Sequence, residues 1–191
     1  MPRSTCGRTM PSAGEFLFDR VPTPLGEAQL VCDAQGRLRL FGWYGREAKW
    51  KRCVRSHVGE VELREARDPF GLSSAIDAYM QGNVHAIDVL PVAFCGTPFQ
   101  EKVWHALRTI PAGETLSYGG LARQIGEPKA VRAVGLANGS NPVALVVPCH
   151  RVIGSDGSLT GYGGGLERKK WLLAHEARHA GHGLFGKEMH A

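Results

Sequence analysis

The chain has no apolar run long enough to cross a bilayer: its longest purely aliphatic stretch is VALVV at 143–147, against the roughly 20 residues that a transmembrane helix needs. The first residues, MPRSTCGRTMPSAGEF, lack the apolar centre of a signal peptide. Both absences predict a soluble, cytoplasmic protein. Cysteine is scarce and forms no pattern: Cys6, Cys32, Cys53, Cys95 and Cys149 are odd in number and include no C-x-x-C pair. This excludes a disulfide framework and a zinc ribbon and leaves reduced thiols. Internal repeats and low-complexity segments are also missing. What is present is an ordinary globular composition, 43% apolar and 21% charged over 191 residues, enough for one or two small domains. Lys and Arg number 23 against 18 Asp and Glu, a net charge of +5 and a pI near 9.1. That mild positive field suits a phosphate-rich partner without requiring one.

Residues 15–43 read as short strands, EFLFDRV, EAQLVC and RLRLFGWYG, separated by the turn-forming TPLG and DAQG. A small antiparallel sheet is expected. SSAIDAYMQ predicts a helix ending before Gly82, and VHAIDVLPVAF a further extended segment, with a domain boundary near Cys95-Gly96. Beyond it the period becomes helical. Thr97 and Gln100 form a capping box, Pro98 takes the first helical position, and Phe99, Val103, Leu107 and Ile110 make one apolar stripe. Ser117 caps a short helix running to Ile125, Gly126 breaks it, and Pro128 opens a second helix to about Asn138. Two short helices around a tight turn give a helix-turn-helix outline, which an αα-hairpin serving only the core would share. On the second helix Arg132 shares a face with Gly135, Leu136 and Gly139, while Val131 and Val134 point toward a core.

The chemistry concentrates in NPVALVVPCHRVIG, where an apolar strand ends at Pro148-Cys149-His150-Arg151. A cysteine beside a histidine is a candidate nucleophile with its base, provided the chain turns so that the two side chains share a side. Pro148 in the first position of a helical turn would supply that turn. It would also put the sulfur near unpaired N–H groups, and with His150 and Arg151 this favours the thiolate. A buried, inert cysteine beside a surface histidine is the alternative.

Taken together, PCHRVIG, SYGGLA, RAVGLANGSNP, GYGGG and WLLAHE, in order between about Gly96 and Glu176, closely resemble the O6-alkylguanine-DNA alkyltransferases, or methylated-DNA–protein-cysteine methyltransferases. The first half resembles them only through TPLG and the strands after it. The resemblance implies an α+β protein: a small α/β N-terminal domain with an antiparallel sheet at 1–95, and a mostly helical C-terminal domain with a helix-turn-helix at 96–191. It implies a suicide repair protein that flips O6-alkylguanine, and O4-methylthymine with it, out of duplex DNA and moves the alkyl group irreversibly onto Cys149. His150 is then the group that withdraws the thiol proton through a water, and Glu176 the carboxylate that orients His150. Arg132 resembles the finger that fills the gap left by the flipped base, on a helix lying in the minor groove, where sequence readout is poor. Tyr118 resembles the residue that rotates the 3′ phosphate and contacts the base, Ser155 a backbone or O6 contact, and Asn141 the hinge behind the recognition helix. No cofactor or metal is implied. The expected partner is double-stranded DNA rather than a membrane, bound by a monomer that could assemble side by side along the strand.

Two residues depart from the best-known animal members, Ala144 in place of a proline and Gly163 in place of a serine, which implies a roomier alkyl pocket. Their structural zinc is not expected, because Cys6 and Cys32 lack the matching histidines, and neither is the cysteine-rich activator domain of larger relatives. Three rivals remain. His175-Glu176-Ala177-Arg178-His179 satisfies the H-E-x-x-H of zinc peptidases, but His182, His190 and Glu188 offer no third ligand at a usual spacing. A binding-only alkyltransferase-like protein would lack the cysteine. A plain helix-turn-helix regulator would leave PCHR unexplained.

Overall fold

The computed structural model describes residues 15–45 and 47–182. Cys6, Glu188 and His190, together with the side chain of His182, lie outside the described part. Strands β1 (Phe16–Val21), β2 (Ala28–Cys32) and β3 (Leu38–Gly42) form where apolar alternation places them. They pair antiparallel, and a short β4 (Leu63–Glu65) adds parallel to β1, giving the order β3-β2-β1-β4. Both faces of this sheet are covered. Phe16, Phe18, Val31 and Leu40 meet Trp50 and Val54 of helix α1 (Glu47–His57), whereas Leu30, Cys32, Leu38 and Phe41 join the main core. Alternate residues of a strand face opposite ways, so one sheet serves two cores. Helix α1 has no counterpart in the sequence-based expectation. Only Trp50 and Val54 of EAKWKRCVRSH are buried, too sparse a stripe to announce an amphipathic helix.

Helix α2 (Leu72–Met80) falls where expected. VHAIDVLPVAF does not form the extended segment read from sequence. It winds through successive turns, with Ala86 N–H bonded to Asn83 O, Asp88 to His85 O and Leu90 to Ile87 O. Val84, Ile87 and Leu90, three residues apart, bury one side of that ribbon and leave Val89 85% exposed. Only Val92 bridges to Leu38. The open edge of β3 is thereby covered: Leu38 bonds to Pro91 and Ala93, and Phe41 to Pro142 and Ala144.

In the helical half, α3 (Pro98–Leu107) carries the expected capping box, Thr97 Oγ1 accepting from Gln100 N–H at 3.3 Å and Gln100 Oε1 from Thr97 N–H at 2.9 Å. Val103, Leu107 and Ile110 are buried, each contributing about 1.5–3 kcal/mol. The fully buried Trp104 donates from Nε1 to Ala137 O at 2.8 Å, tying α3 to the helix that carries Ala137. Ser117 caps α4 (Tyr118–Gln124), and Gly126, at φ +74°, ends the turn in a conformation that favours glycine. Helix α5 (Val131–Gly139) begins three residues after Pro128, since Glu127–Ala130 closes a separate turn. In consequence Val131 sits in the first turn and is 38% exposed rather than core-facing, while Val134 is buried. Two-residue strands β5 (Leu116–Ser117) and β6 (Val152–Ile153) pair in parallel, and α6 (Leu166–His179) closes the fold. One apolar cluster runs from β2, β3 and α2 through α3, α4 and α5 to Leu172 of α6. Among the described residues no helix is long and apolar enough to cross a membrane.

Candidate active site

Residues 142–149 form a buried, tightly folded loop instead of the strand suggested by VALVV. Ala144 O accepts from Val146 N–H at 3.0 Å around Leu145, whose φ of +73° is rare for a branched side chain. Pro148, at φ −81° and ψ 63°, centres an inverse γ-turn, with Cys149 N–H bonded to Val147 O at 2.8 Å. It precedes the helical turn at Cys149–Arg151 rather than occupying its first position. Asn141 holds the loop from both ends: Nδ2 donates to Val147 O at 2.7 Å and Oδ1 accepts from Val143 N–H at 3.0 Å. Its side chain also hydrogen-bonds the Cys149 thiol.

This turn brings Cys149, His150 and Glu176 together, 26 residues of chain separating the last two. His150 and Glu176 are fully buried and Cys149 is nearly so. Glu176 Oε1 lies 2.9 Å from His150 Nε2 and accepts from Tyr79 Oη at 2.7 Å and Arg151 Nη2 at 2.8 Å. Oε2 accepts from Arg151 Nε at 3.0 Å and Gly113 N–H at 3.2 Å. Burial opposes ionisation of Glu176, but the hydrogen bonds and charges of His150 and Arg151 outweigh it and hold the carboxyl below the usual range. An ionised Glu176 fixes the tautomer of His150, so Nε2 carries the proton and Nδ1 is the acceptor. That Nδ1 is buried with no partner among the described residues. Burial pushes the pKa of His150 down, against the pull of Glu176, so the ring is neutral at pH 7.

The thiol differs from the expectation. Burial pushes Cys149 up to about 11, only partly offset by the Asn141 hydrogen bond and the charge of Lys169. The resting sulfur is protonated, not a thiolate. Arg151 does not favour a thiolate as anticipated, because its guanidinium pairs with Glu176 and donates to Ile110 O. Lys169, fully buried on α6, donates to the carbonyls of Val152 and Thr160 at 2.5 and 2.7 Å and so ties down the segment after the nucleophile.

Tyr118 is half-buried at the start of α4, donating to Thr160 O at 3.2 Å, and burial keeps its phenol protonated. Arg132 is exposed on the first turn of α5 and has no hydrogen bond or ion pair with a described residue. Leu136 is 77% exposed one turn further. Ser155 is exposed in the turn closed by Gly154 and Ser158. Neither Arg132 nor Ser155 touches the buried triad.

Sequence reasoning missed Tyr79, Lys169 and the contribution of α1. Tyr79 carries a helix-periodic signal only, shared with Leu72 and Ile76 as core residues. It nevertheless clamps α6 twice, its hydroxyl on Glu176 and its carbonyl on His175 Nε2 at 2.7 Å. The H-E-x-x-H pattern is thus engaged in structure: His175 also stacks on Trp171 at 4.7 Å, and among the described residues no cluster of potential ligands could hold a metal ion. Beside Cys149 lies a cavity of about 180 Å³. Ala144, Tyr162 and Gly163 line one side of it, and Tyr44 with Lys49, Cys53 and His57 of α1 the other.

Residues 98–178 match the family described as 6-O-methylguanine DNA methyltransferase, DNA binding domain. A methylated-DNA–protein-cysteine methyltransferase of Shigella flexneri is 49% identical over 163 residues, covering 84% of this chain and 95% of the relative. One from Mycolicibacterium paratuberculosis is 58% identical over 131 residues, 69% of this chain and 72% of the relative. Among solved structures, Mycobacterium tuberculosis OGT in complex with DNA is similar at a TM-score of 0.71 and 38% identity, covering 85% of this chain and 94% of that one. The O6-methylguanine-DNA methyltransferase of Pyrococcus kodakaraensis is similar at a TM-score of 0.63 and 27% identity, covering 84% and 98%.

Proposed function

Because the chain belongs to the methylated-DNA–protein-cysteine methyltransferase family, we propose that Cys149 accepts the alkyl group, His150 takes its proton and Glu176 holds His150 in position. The protein is a DNA repair enzyme that moves the alkyl group of O6-alkylguanine onto its own cysteine in one irreversible turnover. The observation that carries the assignment is the buried His150, next in the chain to the protonated Cys149 and bonded through Nε2 to Glu176; its Nδ1 has no partner among the described residues and so can accept a proton. A thiol with a pKa of about 11 is a poor nucleophile until a base removes its proton. The neutral His150 is that base, acting through a water. As the proton leaves, Sγ forms a bond to the alkyl carbon, the C–O6 bond breaks, and its electron pair stays on the guanine, which then takes up a proton. No neighbouring group hydrolyses the thioether, so Cys149 is consumed, and the sequence of steps needs no cofactor.

O6 lies among the paired bases, so the nucleotide must be flipped out first. We assign Arg132 to the vacated space, Tyr118 to the 3′ phosphate and the base, and Ser155 to the backbone or O6, with Asn141 as the hinge that couples α5 to the nucleophile loop. Helix α5 would lie in the minor groove, where Gly135 and Gly139 let its backbone approach the groove wall. Residues 1–95 and 96–191 act as two domains sharing one core, in a cytoplasmic protein that binds as a monomer and can line up along DNA. O4-methylthymine is a further substrate on the same chemistry.

The test is intact-protein and peptide mass spectrometry after incubation with an O6-methylguanine duplex. One methyl on the Cys149 peptide and a yield never exceeding the moles of protein are expected. A methyl on another residue, or a linear multiple-turnover progress curve, would refute the assignment, as would Cys149→Ser retaining more than about a hundredth of the wild-type rate.

A further inference from the structure

The TPLG turn at 23–26 has no part in the chemistry above, although it stands out in the sequence. It is tightly built. Gly26, at φ +98°, returns its N–H to Thr23 O at 3.0 Å, and Thr23 Oγ1 donates to Gly26 O at 2.6 Å. The same hydroxyl accepts from Leu25 N–H at 3.2 Å and from Trp43 Nε1 at 3.0 Å, which ties the turn to the end of β3. Across the molecule, 143 residues further along the chain, Arg168 Nε donates to Leu25 O at 3.0 Å. Arg168 Nη1 donates to Gly164 O at 2.7 Å, and the guanidinium carbon lies 5.7 Å from the centre of the Trp43 ring, within cation–π reach. Among the described residues Arg168 has no carboxylate in ion-pair distance. Its charge serves two carbonyls and a ring, on two segments far apart in sequence.

The loop on the other side of this clasp cannot hold itself. Gly163, Gly164 and Gly165 bring no side chains to fix it, so bonds to its carbonyls must do so. Gly165 N–H bonds Tyr162 O at 2.9 Å, which places Tyr162 and Gly164 in one turn. The Tyr162 ring rests on that turn, since a Cβ at Gly164 would come within 2.7 Å of it. The ring in turn stands edge-on to His150, centroids 6.4 Å apart at 83°. Lys169, the next residue of α6, anchors only the entry to the loop, at Thr160 O. The carbonyl that Arg168 grips therefore belongs to the residue on which the aromatic neighbour of His150 is seated.

We propose that Arg168 is a positioning residue for alkyl transfer, clasping the TPLG turn to the Gly164 carbonyl and thereby holding Tyr162 against His150. It acts through the loop and touches neither the sulfur nor the alkyl group. A planar fork that bonds two carbonyls and stacks on Trp43 sets the loop in one place, which the single point charge of a lysine does not. The role rests on Cys149 and His150 performing the transfer.

The experiment measures single-turnover methyl transfer from an O6-methylguanine duplex to the full chain over a range of DNA concentrations, giving a maximal rate and a half-saturating concentration. Misplacing reacting groups by about 1 Å costs up to about a hundredfold, so loosening the loop in Arg168→Met should lower the maximal rate about tenfold. The half-saturating concentration should stay within about twofold of wild type, as expected when binding is untouched. Arg168→Lys, which keeps the charge, should remain slow. Thr23→Val breaks the clasp from the other end by freeing the turn from Trp43, and it should slow transfer in the same sense. The double variant should be no slower than Arg168→Met, because both changes remove one linkage. A raised half-saturating concentration with an unchanged maximal rate, or wild-type behaviour of Arg168→Lys, would identify a contact with phosphate and overturn the proposal. Multiplying losses in the double variant, or an unchanged maximal rate in Arg168→Met, overturn it as well. Mass spectrometry of the wild type separates the two failures: no methyl on Cys149 removes the acceptor assignment and the clasp's role with it, whereas normal methylation with unaffected variants removes the clasp alone.

Discussion

Replacing Tyr79 by phenylalanine tests how far α2 controls the active site. The hydroxyl is fully buried and donates to Glu176 Oε1 at 2.7 Å. Burial, then the adjacent carboxylate, pushes its pKa well above the ordinary tyrosine range, so it is always the donor. Phenylalanine retains the ring packing against His175 and the carbonyl that accepts from His175 Nε2. Glu176 keeps its bonds from Arg151, His150 and Gly113, so the carboxylate is not orphaned. A hydrogen bond to a charged group contributes about 1.5–3 kcal/mol, which sets the loss near 2 kcal/mol. In a chain of this length that lowers Tm by about 4–8 °C. The catalytic consequence is separate. Oε1 is shared between Tyr79, His150 and Arg151, so removing one donor tightens its hold on His150. Burial lowers the pKa of His150 and Glu176 raises it. A stronger Glu176 contact therefore moves the acid limb of the single-turnover rate to higher pH. Thermal unfolding, together with rates measured from about pH 5 to 8, reads both effects. A Tm within about 1 °C of wild type, or a lower Tm with an unmoved acid limb, would show that Tyr79 does not act through Glu176.

Arg132→Ala should slow repair of an O6-methylguanine duplex about a hundredfold, the size of a few kcal/mol of unstacking, while barely altering the reaction of the free base O6-benzylguanine with Cys149. Equal losses on both substrates would mean that Arg132 supports the fold instead. Transfer through a neutral His150 predicts a rate that is flat from neutral to mildly alkaline pH and falls only below the ordinary histidine range, because burial lowers His150 and raises Cys149 to about 11. A rate climbing about tenfold per pH unit from neutrality toward that value would mean instead that the thiolate forms before the substrate reacts. Activity should survive a strong chelator, since His175 donates to Tyr79 O and Glu176 is bound by His150 and Arg151. Loss on chelation with recovery on adding zinc would revive metal chemistry for H-E-x-x-H.

Features readable from the sequence are those whose cause lies within a few residues. The Thr97-Gln100 capping box, the Ser117 cap and the strands at Phe16–Val21 and Leu38–Gly42 follow from side chains beside the backbone they organise. Pro128 misplaced the start of α5 by three residues, because a proline also suits the preceding turn. VALVV imitated a strand, and its loop depends on Asn141 bonding both ends and on β3 pairing with residues 142–144. Helix α1 was hidden because its apolar face needs only Trp50 and Val54 against a sheet contributed by other segments.

At the site itself, the sequence alone determined that a cysteine and a histidine stand side by side after a proline, and the five motifs around them identified the family. Tertiary structure decided the rest. Packing α6 against the nucleophile turn chose Glu176, 26 residues away, as the partner of His150, and diverted Arg151 to the same carboxylate. It set Tyr79 of α2 on Glu176 and the Lys49–Cys53–His57 stripe of α1 along the cavity that Cys149 lines, placements that no spacing in the chain announces. It also reversed the state of the sulfur. A helical turn and nearby cations argue for a thiolate, but the free energy of a charge depends on how much water remains around it, and Cys149 is almost wholly enclosed. Solvent exclusion is a property of the assembled core, so the resting protonation of the nucleophile was settled only when distant segments closed over it.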